Sequence, residues 1–151
     1  MTEIAIEPAT VAHAAALLPL VSRFYEEENY PFDEDHTRRA LLELLEEPSR
    51  GRVWIAADHD RIVGYFVLTL GWSLEYLGLD AFVDELYVLP EYRGRGVGTR
   101  AFAVMDKACR ELGVRALHLE VERDNERAQQ LYRNMGFEGH DRFLMTKRIA
   151  P

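Results

Sequence analysis

"LYVLPEYRGRGVGTR" runs from Leu86 to Arg100 and sets an apolar stretch directly before three glycines and three arginines. "AFVDELYVL" around its start has strand character. After the glycines, Phe102, Met105, Ala108, Cys109 and Leu112 recur as one helical stripe, and Gly113 closes it. A strand that enters glycines and then a helix exposes the helix's first unpaired N–H groups, at the positive end of its dipole. Glycines let the backbone approach a phosphate, and Arg93, Arg95 and Arg100 can pair with its charge. The stretch therefore predicts an anion site; the competing interpretation is an ordinary turn with solvated arginines.

Two phosphate-binding patterns compete for it. A P-loop ends in Gly-Lys-Ser/Thr, and "GVGTR" does not. "GVGTRA" satisfies G-x-G-x-x-A, and Glu120 follows about twenty residues on, as in dinucleotide-binding folds. In those folds the strand feeds almost directly into the first glycine, whereas here "LPEYRGR" separates Val88 from Gly96.

Outward from the loop, the chain alternates elements without a repeat, a low-complexity tract or a Gly/Ser linker. "EIAIE" alternates like a strand, and Thr10 is placed to cap the helical "VAHAAALLPLVSRFYEEE". Pro31 breaks that helix, and Asp33 or Asp35 can cap "HTRRALLELLEE", which Pro48 ends. "RVWIAAD", "HDR" and "IVGYFVLTLGWSLEY" make a hairpin. Beyond Gly113 come a strand, "VRALHLEVE", a helix, "NERAQQLYRNM", stopped by Gly136, and a last strand, "RFLMTKRI". The order β-α-α-β-β-β-α-β-α-β implies an α/β (α+β) fold with a mixed, mostly antiparallel sheet flanked by helices, in a single domain over residues 1–151.

Composition narrows the function classes. A net charge of -8 speaks against nonspecific nucleic-acid binding, which needs an excess of Lys and Arg. No apolar run approaches the roughly 20 residues that span a bilayer, and the N-terminus, with Glu3 and Glu7, lacks a signal peptide's basic region. A cytoplasmic chain with no membrane partner is expected. The lone Cys109 makes no intrachain disulfide and lies on the apolar stripe, so packing is favoured over an acyl-enzyme role. His13, His36, His59, His118 and His140 are scattered without H-E-x-x-H spacing, and no metal is expected.

"RGRGVG" (Arg93–Gly98) resembles the R/Q-x-x-G-x-G/A acyl-CoA signature of the GNAT N-acetyltransferase superfamily, with a V-x-P-x-Y-R-G lead-in ahead of it. A second block, "VERDNERAQQLYRNMGF", is similar to that family's Asn, Ala, Tyr, Gly-Phe arrangement at Asn125, Ala128, Tyr132, Gly136 and Phe137. The resemblance implies acetyl-CoA as co-substrate. Its pyrophosphate would be held by backbone amides of Arg93, Gly94, Arg95, Gly96, Val97 and Gly98, with Thr99 at the helix start. Pantetheine would lie along Leu86, Tyr87 and Val88, with Asn125 and Ala128 contributing. One strand N–H would polarise the thioester carbonyl and stabilise the oxyanion. The resemblance also admits a homodimer.

The implied reaction is direct acetyl transfer, in a ternary complex, to a primary amine, either a small molecule or a peptide. An alkylammonium with a pKa of about 10.4 is only about one part in a thousand neutral near pH 7.4, so a base is needed. Strand alternation puts Asp84 and Glu85 on opposite faces, with only one facing the thioester. Asp84 is preferred by resemblance to polyamine and aminoglycoside acetyltransferases; Glu85 is the second choice, and a water relay stays open. His118 and Glu120 share a strand face, from which either can assist. Tyr132 matches the family's general acid for the departing thiolate.

"FYEEENYPFDED" lies where this family often builds its acceptor pocket; its carboxylates, with Tyr25, Tyr30 and Phe32, suit a small cationic amine, or form a solvated face. Trp72, Glu75 and Tyr76 lie beside the catalytic strand. A noncatalytic acyl-CoA-binding or sensing module on the same fold is the alternative, since a fold does not fix a function.

Overall fold

A computed structural model describes residues 3–150. Its contacts divide into one compact unit up to Leu119 and a second from Glu120.

The first unit is built on five strands in the spatial order β1-β2-β3-β4-β5. These are β1 (Ala5–Pro8), β2 (Gly51–Asp58), β3 (Arg61–Ser73), β4 (Gly78–Val88) and β5 (Ala116–His118). The first four pair antiparallel in sequence order, while β5 joins β4 in parallel. Helix α1 (Ala14–Glu27) follows a short 3₁₀ turn, and α2 (Glu34–Glu46) follows α1. Helix α3 (Val97–Leu112) makes the crossover between β4 and β5. This is the expected mixed, mostly antiparallel sheet with flanking helices.

Burial explains the strand sequences. Residues 53–57 of β2 and 63–68 of β3 are buried without interruption, as strands covered on both faces must be, and their apolar runs reflect it. Helix α1 packs on β3, α2 on β2 and α3 on β4. Leu17, Phe66, Leu68 and Met105 are fully buried, each worth roughly 2 kcal/mol in water-excluded apolar surface. Asp33, rather than Asp35, caps α2: its Oδ1 accepts from the His36 amide at 2.9 Å.

Strand β4 is bulged. Val67 of β3 faces Glu85 and Leu68 faces Val83, so Asp84 is an extra residue with no cross-strand partner. Strict alternation is interrupted there, next to Glu85. The Asp84 charge bears directly on both Glu85 and Tyr25.

The second unit holds α4 (Glu126–Asn134). Two expected strands are corrected. "VRALHLEVE" pairs only over Ala116–His118, three registers of the parallel pairing that is weaker per residue. "RFLMTKRI" forms no strand: residues 137–150 have neither helix nor strand, and Phe143, Leu144, Met145 and Ile149 are all highly exposed. Alternating apolar residues make a strand only where a neighbouring edge pairs with them and a core covers one face.

Candidate active site

The glycine loop is pinned at its shoulders. A 3₁₀ turn, Pro90–Tyr92, leaves β4, and the buried Tyr92 donates its hydroxyl to Asp58 Oδ2 at 2.7 Å. Glu91 pairs with Arg61 at 2.9 Å, tying the same turn to the β2–β3 hairpin. The Arg93 amide donates to Pro90 O, its Nε donates to Val88 O at 2.8 Å, and its Nη2 meets Glu27 Oε2 at 2.9 Å. Arg100 donates to Ile4 O at 2.6 Å, and Arg95 lies over the Tyr92 ring at 4.9 Å. The arginines expected beside an anion thus brace the loop in this structure, and the Val88 carbonyl, expected to be open, takes Arg93.

Between those braces the backbone turns on Gly94 and Gly96, at φ 76° and 80°, where a side chain is strained. Gly96 caps α3, whose ladder starts with Arg100 N–H donating to Gly96 O at 3.0 Å. The amides of Val97, Gly98 and Thr99 precede that ladder and have no intrahelical acceptor. Gly98 differs from the other two. Its φ is ordinary, and a Cβ built there meets nothing within 4 Å. The fold does not need glycine at 98, and its missing side chain leaves the amides of the helix start open, so the loop's chemistry fits a pyrophosphate.

Strand β4 opens just before the loop. Its pairing with β5 covers Asp80, Ala81 and Phe82 and then stops, so the edge from Val83 to Val88 has no strand partner among the described residues. Leu86, Tyr87 and Val88 lie on that stretch, and pair on their other side with Phe66, Tyr65 and Gly64.

At the bulge the carboxylates meet aromatic rings. Glu85 accepts from Tyr25 Oη at 2.5 Å and from Tyr65 Oη at 2.7 Å. Burial pushes the Glu85 carboxyl up, the two phenol hydrogen bonds pull it down, and Asp84 pushes it up again. Burial also raises Asp84, although the residue as a whole is exposed. Both tyrosine hydroxyls are raised, first by burial and then by Glu85, so they stay protonated donors. Tyr30 and Phe32 pack edge-on against Tyr25 at 5.7 and 6.0 Å, and Phe24 stacks on Tyr87 at 5.3 Å. Tyr87 in turn donates to Glu27 at 2.9 Å.

The acidic run near these rings is mostly committed. Glu27 holds Arg93 and Tyr87, Asp33 caps α2, and Glu34 and Asp35 pair with Arg38. Sequence reasoning found Tyr25 but missed Glu85 as the acceptor it shares with Tyr65. Only the crossing of α1 over β3 and β4, which brings both phenols to one carboxylate, reveals it. Cys109 is buried, and burial raises its thiol, which disfavours a nucleophilic thiolate. Among the described residues, no cluster of His, Cys, Asp and Glu gathers to hold a metal.

In the second unit, Asn125 caps α4: its Oδ1 accepts from the Ala128 amide at 3.1 Å. The other end of α4 explains the Gly-Phe pair. Gly136, at φ 99°, lets its own amide reach Arg133 O at 2.9 Å and the Phe137 amide reach Tyr132 O at 3.0 Å. The Phe137 ring then sits 6.1 Å from that of Tyr132. A helix stop thereby fixes the Tyr132 backbone and flanks its ring, and burial raises the half-buried phenol.

The open mixed sheet whose fourth strand runs into a glycine cradle at a helix start has the architecture that the acetyltransferase resemblance implies. Residues 16–137 match the model described as the acetyltransferase (GNAT) family, and the chain belongs to that family. It is similar to the uncharacterized N-acetyltransferase YycN of Bacillus subtilis strain 168, 31% identical over 72% of this chain and 59% of that protein. Spermidine N(1)-acetyltransferase of Escherichia coli strain K12 is 29% identical over 83% of this chain and 74% of its own length. Among solved structures, an integron cassette protein from the mobile metagenome of Cole Harbour Salt Marsh superposes with a TM-score of 0.85 at 38% identity, over 97% of this chain and 91% of that one.

Proposed function

We propose that residues 1–151 act as one acetyltransferase domain that moves the acetyl group of acetyl-CoA directly to a small cationic primary amine in a ternary complex. The observation that carries this reading is the β4 bulge, which puts Asp84 beside Glu85 and the Tyr25 ring next to an unpaired strand edge. Carboxylates next to aromatic faces suit an alkylammonium, and the similar spermidine N(1)-acetyltransferase points toward the same amine class.

The amides from Gly94 to Thr99 hold the pyrophosphate at the positive end of α3. An N–H of the free β4 edge polarises the thioester carbonyl. Asp84, raised by burial, takes the proton from the ammonium so that the neutral amine can attack. Glu85, committed to two phenols, holds the amine by charge. Tyr132 gives its phenol proton to the departing thiolate; that role rests on the sequence motif and on the helix stop that orients it. No helix among the described residues is long and apolar enough to cross a membrane.

The test is release of free thiol from acetyl-CoA across polyamines, aminoglycosides, amino acids and peptide amines. Turnover with the small cationic amines is expected. Acetyl-CoA binding without turnover on any amine would instead favour the noncatalytic acyl-CoA-binding module.

A further inference from the structure

His118, expected only as one of two residues that can assist the base, forms a built pair with Asp80, which has no part in the roles above. In the parallel register Phe82 faces His118, and Asp80 lies on the same face one alternation earlier. His118 Nε2 stands 3.2 Å from Asp80 Oδ2, with the two side chains only 20% and 15% exposed. The Tyr76 ring meets the imidazole edge-on at 5.0 Å, and Phe82 lies 4.9 Å away on the same strand face. Gly71, opposite Asp80 on β3, makes room for the carboxylate: a Cβ there would stand 2.8 Å from Asp80 Oδ1. The titratable groups facing the ring are Asp80 of β4 and Tyr76 of the β3–β4 connection; Asp84 is the next carboxylate along β4.

A carboxylate 3.2 Å from Nε2 favours a proton on that nitrogen and so a lone pair on Nδ1, the tautomer that a base requires. His118 is also the last paired residue of β5, so the ring stands where the β4 edge becomes free. A carboxylate alone is a weak base for an ammonium, and an imidazole beside it is a better final acceptor.

We propose that His118, oriented by Asp80, is the second proton acceptor of the reaction. The ammonium N–H bond breaks as an O–H bond forms on Asp84. That proton passes through one water to His118 Nδ1, Asp84 returns to carboxylate, and the imidazolium is held by Asp80 until it releases the proton to solvent. Asp80 is a positioning residue, acting only through the ring. This inference rests on the acetyltransferase reading with Asp84 as base.

The experiment combines ¹⁵N NMR of His118 with the kinetics of amine acetylation. The wild-type ring is expected as the Nε2–H tautomer, shifting toward Nδ1–H in Asp80→Asn; a wild-type Nδ1–H ring, or one indifferent to Asp80→Asn, overturns the proposal even should His118→Gln fail to fold. His118→Gln is expected to lower amine kcat roughly 10²-fold with little change in the amine KM. It should leave acetyl-CoA affinity by calorimetry unchanged. A wild type that turns over amines while His118→Gln keeps full kcat overturns the relay alone. A wild type that turns over none of the panel overturns the relay and the acetyltransferase reading together.

Discussion

Tyr25 of α1 donates its hydroxyl to Glu85 of β4 over 2.5 Å, across 60 positions of sequence, and so joins the first helix to the strand that carries Asp84. The bond also sets how the protein responds to pH. Burial raises the Glu85 carboxyl above its ordinary 4.5 despite the phenols. A carboxyl raised on folding binds its proton more tightly in the native chain, so this group favours the native state at pH below 4.5. That contribution disappears as pH rises through the raised value. Urea midpoints measured from about pH 4 to 7 should therefore fall less on raising the pH in Glu85→Gln than in wild type. Tyr25→Phe removes a donor that favours the carboxylate, and should steepen the fall.

Gly98 separates stability from binding. It lies in the first turn of α3 with open space around its Cβ position. Gly98→Ala should raise stability by about 0.5 to 1 kcal/mol through helix propensity. By standing in the path of the pyrophosphate, the same methyl should weaken acetyl-CoA binding by at least tenfold in calorimetry. A stabilised variant with unchanged affinity would remove the cradle assignment.

Arg93 should prove a brace. Arg93→Lys keeps the charge but cannot serve Val88 O and Glu27 with one planar fork. With the Arg93 and Glu27 side chains both partly exposed, the loss should be about 1 kcal/mol in thermal or urea unfolding, after allowing for solvent screening. Acetyl-CoA affinity should fall with it, because the loop's first shoulder loosens.

Tyr132→Phe should lower kcat roughly 10²-fold with little change in KM for acetyl-CoA, since the variant keeps its ring beside Phe137 and loses only the proton. Gly136→Ala forces a side chain into φ 99° and should cost about 1 kcal/mol or more in stability. A Tyr132→Phe enzyme with full kcat would end the acid role.

Local chemistry was the legible part. The strand, glycines and helix stripe around Gly96, the Asp33 cap and the Gly136 stop each depend on neighbours within a few positions, and the sequence pattern locates them. The bulge at Asp84 was not legible, because an inserted residue leaves an apolar alternation that scans equally well in either register. Nor were Glu85 with Tyr25 and Tyr65, or Arg93 with Glu27, since such pairs depend on which helix crosses which strand. The missing strand at 142–149 follows the same rule, for alternation supplies one strand's side chains without its neighbour.

The extra residue in β4 also bears on how this chain tolerates insertion and deletion. Residues 80–82 pair with β5, Glu85 holds Tyr25 and Tyr65, and the bulge at 84 lies between the two. Removing the residue at 84 would leave Val83 opposite Leu68 and Glu85 opposite Val67, so both halves would keep their facing, His118 its Asp80 and Tyr25 its Glu85. The sheet therefore has no need of its extra residue, and a chain shortened there should fold while lacking the one carboxylate that stands outside the ladder. A surplus residue that the scaffold can spare is free to be chosen for its chemistry alone.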